Sequence, residues 1–270
     1  MDTAVPAIGG RYQAPFPSTR LSAAYLTPPP AATGRPRLFC FHHAGGGASA
    51  FAALRRDLAG TAEVVAVQLP GREGRMRHQL PDTLSEVVAE IDAALDPHLT
   101  AADVCYGHSM GGLVAHDVIA RRQDRGAVVP ARLVIGACRA PRHPVALGHR
   151  AQDGRDDLVE MMLEIGGLSR EMLGHPEWVD AAVDRIRADL RLCAGRWPAA
   201  GPPLACPIHV LYGVDDPLVT HGHLADWAEH TSADFQMHAF DGGHFFFLSA
   251  ARAAFAGLLA SLLERVPNAA

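Results

Sequence analysis

The chain contains no lysine; all 24 of its lysine-or-arginine positions are arginine. A phosphate-cradling loop of the Gly-x-x-x-x-Gly-Lys type needs that amine, so the glycine-rich stretch Ala44-Gly45-Gly46-Gly47 is not read as one. Together with the alanine content, the missing lysine reflects genome composition rather than function. Positive charge is scarce overall: the formal net charge is −5. No domain-wide excess of cations exists to bind phosphate, which excludes nucleic acid as a partner. Cysteines are few, odd in number and scattered, with five in all. Cys40, Cys105 and Cys138 fall in or beside apolar runs and Cys193 and Cys206 stand apart, so they read as small buried residues in a reducing compartment. No apolar run approaches the length of a membrane span. The first residues lack a basic start followed by an apolar stretch, so no secretion signal is expected. The expected location is the cytoplasm, without a membrane partner.

With 49% hydrophobic and 20% charged residues, the composition is that of an ordinary soluble protein. The length of 270 residues suits one domain of the larger α/β type. Residues 1–36, with Pro28-Pro29-Pro30, read as a flexible extension, and 37–270 as the domain. From Arg37 on, short apolar runs alternate with helix-patterned segments, the mark of parallel strands joined by crossover helices. The strand candidates are Leu38–Phe41, Val64–Leu69, Val104–Tyr106, Leu133–Ala137, Ile208–Tyr212 and Phe235–Phe240. Residues 148–203 break the alternation with two amphipathic segments: Leu158, Met161, Met162 and Ile165, then Val179, Val183, Ile186 and Leu190. The expected fold class is α/β, a mostly parallel doubly wound sheet with an inserted helical lid. Met161, Met162 and Trp178 are the candidates for lining a substrate pocket beneath that lid.

The densest signal is Tyr106-Gly107-His108-Ser109-Met110-Gly111-Gly112. A strand pattern leads into this Gly-x-Ser-x-Gly and a helix pattern leads out, the context of a nucleophile elbow. Side chains at Gly107 or Gly111 would collide with the neighbouring strand or helix, and Ser109 is thrust outward on a strained turn. A serine needs a base, and the base needs an acid to hold its tautomer. His244 follows the last strand candidate and supplies the base. Asp215 and Asp216 both follow Ile208–Tyr212; Pro217 biases Asp216 toward a turn and makes it the favoured acid. All three positions fall at strand carboxyl ends, where such sheets place their reactive groups. The backbone amides of Met110 and Ala44 are the expected oxyanion donors. His42-His43 and His221-Gly222-His223 lack a carboxylate and third ligand at zinc spacing, so neither a metal nor another cofactor is expected.

Five stretches, Phe39 to Gly46, Gln68 to Glu73, Gly107 to Gly112, Ile186 to Leu190 and Gly242 to Phe246, together resemble the stand-alone type II thioesterases that accompany polyketide and nonribosomal peptide synthases. The resemblance implies the α/β-hydrolase fold. It also implies hydrolysis of acyl or aminoacyl groups from the phosphopantetheine arm of an acyl or peptidyl carrier protein, with Ser109, Asp216 and His244 as the triad; the chain is expected to act as a monomer. His42 departs from the family, which usually has proline there. A small-molecule carboxylesterase or acyltransferase of the same fold is the alternative enzyme, and a carrier-binding scaffold the alternative outside catalysis. Arg72 and Glu73 read as an ion pair or loop anchor, outside the catalytic set.

Overall fold

A computed structural model describes residues 25–31, 34–195 and 201–265. Strands β1 (Leu26–Thr27), β2 (Arg37–Phe41), β3 (Glu63–Val67), β4 (Val104–His108), β5 (Arg132–Gly136), β6 (Ile208–Gly213) and β7 (Phe235–Phe240) form one 7-stranded sheet. Their order is β1-β3-β2-β4-β5-β6-β7, and every pairing is parallel except that of β1 with β3. This is the α/β-hydrolase fold. The central strands are buried almost throughout their length because helices cover both faces. The edge strand β7 is only partly covered.

On one face lie α2 (Leu84–Leu95) and α3 (Met110–Asp124), whose Val87, Ile91, Val114 and Val118 pack with Phe39, Val65 and Cys105 of the sheet. Thr83 and Glu86 form a reciprocal capping box that starts α2. On the other face α1 (Ala52–Asp57) and α7 (Arg252–Glu264) bring Leu54, Phe255 and Leu259 against Leu38, Val64 and Val134.

Between β5 and β6 the chain inserts α4 (Arg155–Glu164) and α5 (Pro176–Ala194). Leu158, Met161, Met162, Val179, Val183 and Ile186 from these helices form a cluster separate from the two sheet cores. The short helix α6 (His221–Ala225) follows β6, with Thr220 capping it.

The N-terminal boundary expected at residue 37 needs correction. Leu26 and Thr27 pair antiparallel with Val67 and Ala66, and Tyr25 is fully buried. The Tyr25 ring lies 3.9 Å from the Arg75 guanidinium carbon, and its hydroxyl donates to Glu90 at 2.6 Å. These long-range partners tie the end of the expected flexible extension to the sheet. Residues 1–24, which carry the rest of that expectation, lie outside the described residues.

Candidate active site

Ser109 sits between the end of β4 and the start of α3, at φ 53 and ψ −119, in the left-handed region. A hydrogen bond from its amide to the Gly136 carbonyl, 2.7 Å, holds the turn from β5. The flanking glycines are required sterically. A Cβ on Gly107 would lie 2.2 Å from the Gly111 carbonyl oxygen, and one on Gly111 would lie 2.1 Å from that of Phe41. The elbow read from the sequence is present, with the collisions that the pattern implied.

Two loops bring His244 and Asp216 together. β6 ends at Gly213, where a Cβ would stand 2.3 Å from the carbonyl oxygens of Gly242 and Gly243, so the turns after β6 and β7 pack backbone against backbone. His244 Nδ1 then donates to Asp216 Oδ2 at 2.8 Å, with both residues buried. Asp216 Oδ1 accepts the Leu218 amide at 2.8 Å, which fixes the carboxylate plane. Asp215 is exposed. Nδ1 being the donor, Nε2 is left as the proton-accepting nitrogen of the neutral ring.

The loop after β2 passes beside the elbow. Among the described residues, neither the Ala44 nor the Met110 amide has a protein acceptor, and both residues line one cavity with Ser109 and His244. Met110 begins a helix, so its amide is one that the helix itself leaves unpaired. The cavity measures about 50 Å³, and its walls are mostly apolar: Leu113, Val145, Leu147, Leu190 and Val219 among them. A larger surface groove of about 640 Å³, lined by Thr83, Val88, Arg121 and Arg125, contains none of these groups.

Met161, Met162 and Trp178 do not line the cavity. Met161 and Met162 are buried where α4 packs against α5. Trp178 is 54% exposed and stacks on His175 at 4.1 Å between ring centroids. The amphipathic pattern was real, but the apolar faces satisfy each other rather than a substrate. The wall comes instead from 137–147, the segment after β5, and from the last turns of α5. Position after a strand's carboxyl end was the available signal for Arg139, His143 and Val145. Arg139 Nε donates to the Leu218 carbonyl at 2.8 Å, and His143 Nε2 contacts Asp226 Oδ2 at 2.5 Å.

The Gln68-to-Glu73 stretch is a loop anchor. Gln68 Oε1 accepts the Ala48 amide at 2.6 Å, and Glu73 Oε1 accepts the Ser49 hydroxyl at 2.6 Å. Arg72 pairs with Asp189 through both carboxylate oxygens, each at 2.7 Å. Behind the site, burial lowers the pKa of His42 to about 3, aided by the Arg72 charge. Burial likewise lowers His43 to about 3, aided by the neighbouring imidazole of His42. His42 Nδ1 contacts the His43 carbonyl at 2.8 Å, and the His43 ring meets Phe245 edge-on. His221 is exposed on another part of the chain.

The family model described as "Thioesterase domain" matches residues 36–263. The chain belongs to the thioesterase family. This thioesterase is 35% identical over 220 residues to the probable cadicidin biosynthesis thioesterase of Streptomyces griseus, covering 80% of this chain and 60% of that one. It is 30% identical over 210 residues to the gramicidin S biosynthesis protein GrsT of Aneurinibacillus migulanus, covering 78% of this chain and 82% of that one. Among solved structures, the type II thioesterase BorB from the borrelidin biosynthetic cluster superposes with a TM-score of 0.77 at 32% identity, over 87% of this chain and 95% of the other. No helix among the described residues is long and apolar enough to cross a membrane.

Proposed function

We propose that this thioesterase removes acyl or aminoacyl groups from the phosphopantetheine arm of carrier proteins during polyketide or nonribosomal peptide assembly. One observation carries the reading: the buried His244–Asp216 contact of 2.8 Å opens on the cavity that Ser109, Ala44 and Met110 also line. The relatives named for cadicidin and gramicidin S biosynthesis, with the type II thioesterase of the borrelidin cluster, support the carrier-bound class of substrate.

In the proposed reaction His244 Nε2 takes the Ser109 proton as Oγ attacks the thioester carbon. Asp216 stabilises the imidazolium through Nδ1 without taking its proton. The Ala44 and Met110 amides receive the negative oxygen of the tetrahedral intermediate. As the C–S bond breaks, the imidazolium returns the proton to the departing sulfur. Water, deprotonated by the same nitrogen, then attacks the acyl-serine; the ester C–O bond breaks, the imidazolium returns that proton to Ser109 Oγ, and the free acid leaves. The limited, mostly apolar space beside Ser109 and His244 favours short chains such as acetyl and propionyl as the cargo to test first. The buried cysteines suit work in the reducing cytoplasm.

The test is intact-protein mass measurement of carriers loaded with acetyl, propionyl or octanoyl groups. Wild-type protein is expected to unload the short chains fastest, and Ser109→Ala to lose activity by a factor on the order of a million at most. A fluorophosphonate should label Ser109 alone. Faster turnover of simple oxygen esters than of loaded carriers would overturn the assignment of substrate.

A further inference from the structure

One carboxylate from the insertion reaches the loop that bears Ala44. Asp189, on α5, is fully buried, and its Oδ2 accepts the Gly45 amide and Arg72 Nη1, both at 2.7 Å. Oδ1 accepts Arg72 Nη2, also at 2.7 Å. Arg72, itself buried, spends two of its other donors on backbone: Nη1 on the Gly46 carbonyl and Nε on that of Pro70, each at 3.1 Å. The same face of α5 places Ile186 so that a Cβ on Gly45 would lie 3.4 Å from the Ile186 Cβ. Arg185 Nη1 meets the Gly45 carbonyl at 3.4 Å. Residues 185, 186 and 189 thus read a single residue of the loop at helical spacing.

This arrangement meets a specific difficulty. Gly45, Gly46 and Gly47 are consecutive, and glycine backbone has the widest conformational freedom of any residue. An oxyanion donor must be held to within roughly 0.5 Å of its working position. Gly45 sits at φ +78 and its amide is committed to Asp189, while the Ala44 amide one residue earlier has no protein acceptor among the described residues and Ala44 lines the cavity.

We propose that Arg72 and Asp189 are positioning residues that assemble the oxyanion hole, so that the site is competent only while the C-terminal half of α5 stays docked on the loop. Opening of the insertion would then be confined to residues before that half-helix. Undocking it would strip Gly45 of its acceptor and strand the Arg72 guanidinium among buried groups. The inference rests on the Ser109–His244 reading of the preceding section.

The test is a paired substitution, Arg72→Met with Asp189→Leu, which removes both charges together and strands neither. Circular dichroism checks folding. Affinity for an alkyl boronic acid, which forms a tetrahedral adduct on serine, reports the oxyanion hole; KM for acetyl-carrier reports ground-state binding. A folded paired variant is expected to lose about a hundredfold in kcat, the scale of one oxyanion donor, with a parallel loss of boronate affinity and an unchanged KM. Wild-type kcat and boronate affinity in that variant would overturn the proposal, as would a loss confined to KM. If the pair fails to fold, Arg72→Lys keeps the charge beside Asp189 while losing the forked contacts. It should lower kcat and boronate affinity without raising KM, and a change in melting temperature alone would overturn the proposal. Wild-type protein that does not take fluorophosphonate on Ser109 would instead refute the underlying triad reading.

Discussion

The Tyr106 hydroxyl and Nδ1 of His108 share a hydrogen bond of 2.9 Å, inside β4 and directly before Ser109. Burial lowers the His108 pKa well below its usual value, with His244 and His43 adding repulsion. Burial also raises that of the Tyr106 phenol, which stays protonated. The histidine adjoining Ser109 is thereby held neutral, 5.3 Å from the His244 ring between centroids. It does not oppose the positive charge that His244 gains in the proposed reaction. The pair also explains Gly136 of the adjacent strand: a Cβ there would lie 2.6 Å from the Tyr106 hydroxyl oxygen.

Tyr106→Phe keeps the ring's shape and leaves His108 Nδ1 buried without its hydrogen-bond partner. The expected cost is about 1–3 kcal/mol of stability, read from denaturant midpoints. Fluorophosphonate labelling of Ser109 should persist. A midpoint equal to that of the wild type would show that the contact contributes nothing.

Asp216→Asn should lower kcat/KM on the order of ten-thousandfold, because an amide favours the wrong tautomer of His244. Asp215→Asn, at an exposed position, should leave it nearly unchanged. Steady-state hydrolysis of one acyl-carrier by both variants decides the matter; the reverse ranking would assign the acid to Asp215.

Val145→Phe adds bulk to the cavity wall and should penalise propionyl more than acetyl. Met162→Trp adds bulk in the packed face between α4 and α5, and overpacking of that kind costs about 1–3 kcal/mol. It should lower the melting temperature without changing the ratio between chains. Chain-length selectivity that follows residue 162 and ignores residue 145 would restore the original pocket assignment.

Stability should fall with acid before the carboxylates titrate. His42 and His43 are held near pKa 3 in the native state by burial, against an ordinary 6.5. Between those values the unfolded chain binds protons that the native chain does not, so stability rises with pH and levels off above about 6.5. Each such histidine contributes up to about 1.4 kcal/mol per pH unit within the window. Thermal melts from pH 4.5 to 8 should show the slope, shallower in His42→Gln. A melting temperature independent of pH below 6.5 would contradict the neutral burial of these rings.

What the sequence alone determined was local or periodic. Gly107, Ser109 and Gly111 specify the elbow because its collisions arise within a few residues and with the adjoining strand. Apolar runs named six strands because strands covered on both faces leave little choice of side chain, and the partly covered β7 still carries Phe235, Met237 and Phe240. Pro217 favoured Asp216 through a constraint on its immediate neighbour, and the structure pairs Asp216 with His244. Tertiary structure decided the rest. Periodicity shows that Met161 and Met162 face something apolar, but only packing reveals that this is α5 rather than an acyl chain. Tyr25 enters the core because β3 offers an open edge, a fact absent from its own neighbourhood. Asp189 and Arg72 are 117 positions apart, and two charges in sequence say nothing of whether folding will bury them against each other and against the amide of Gly45.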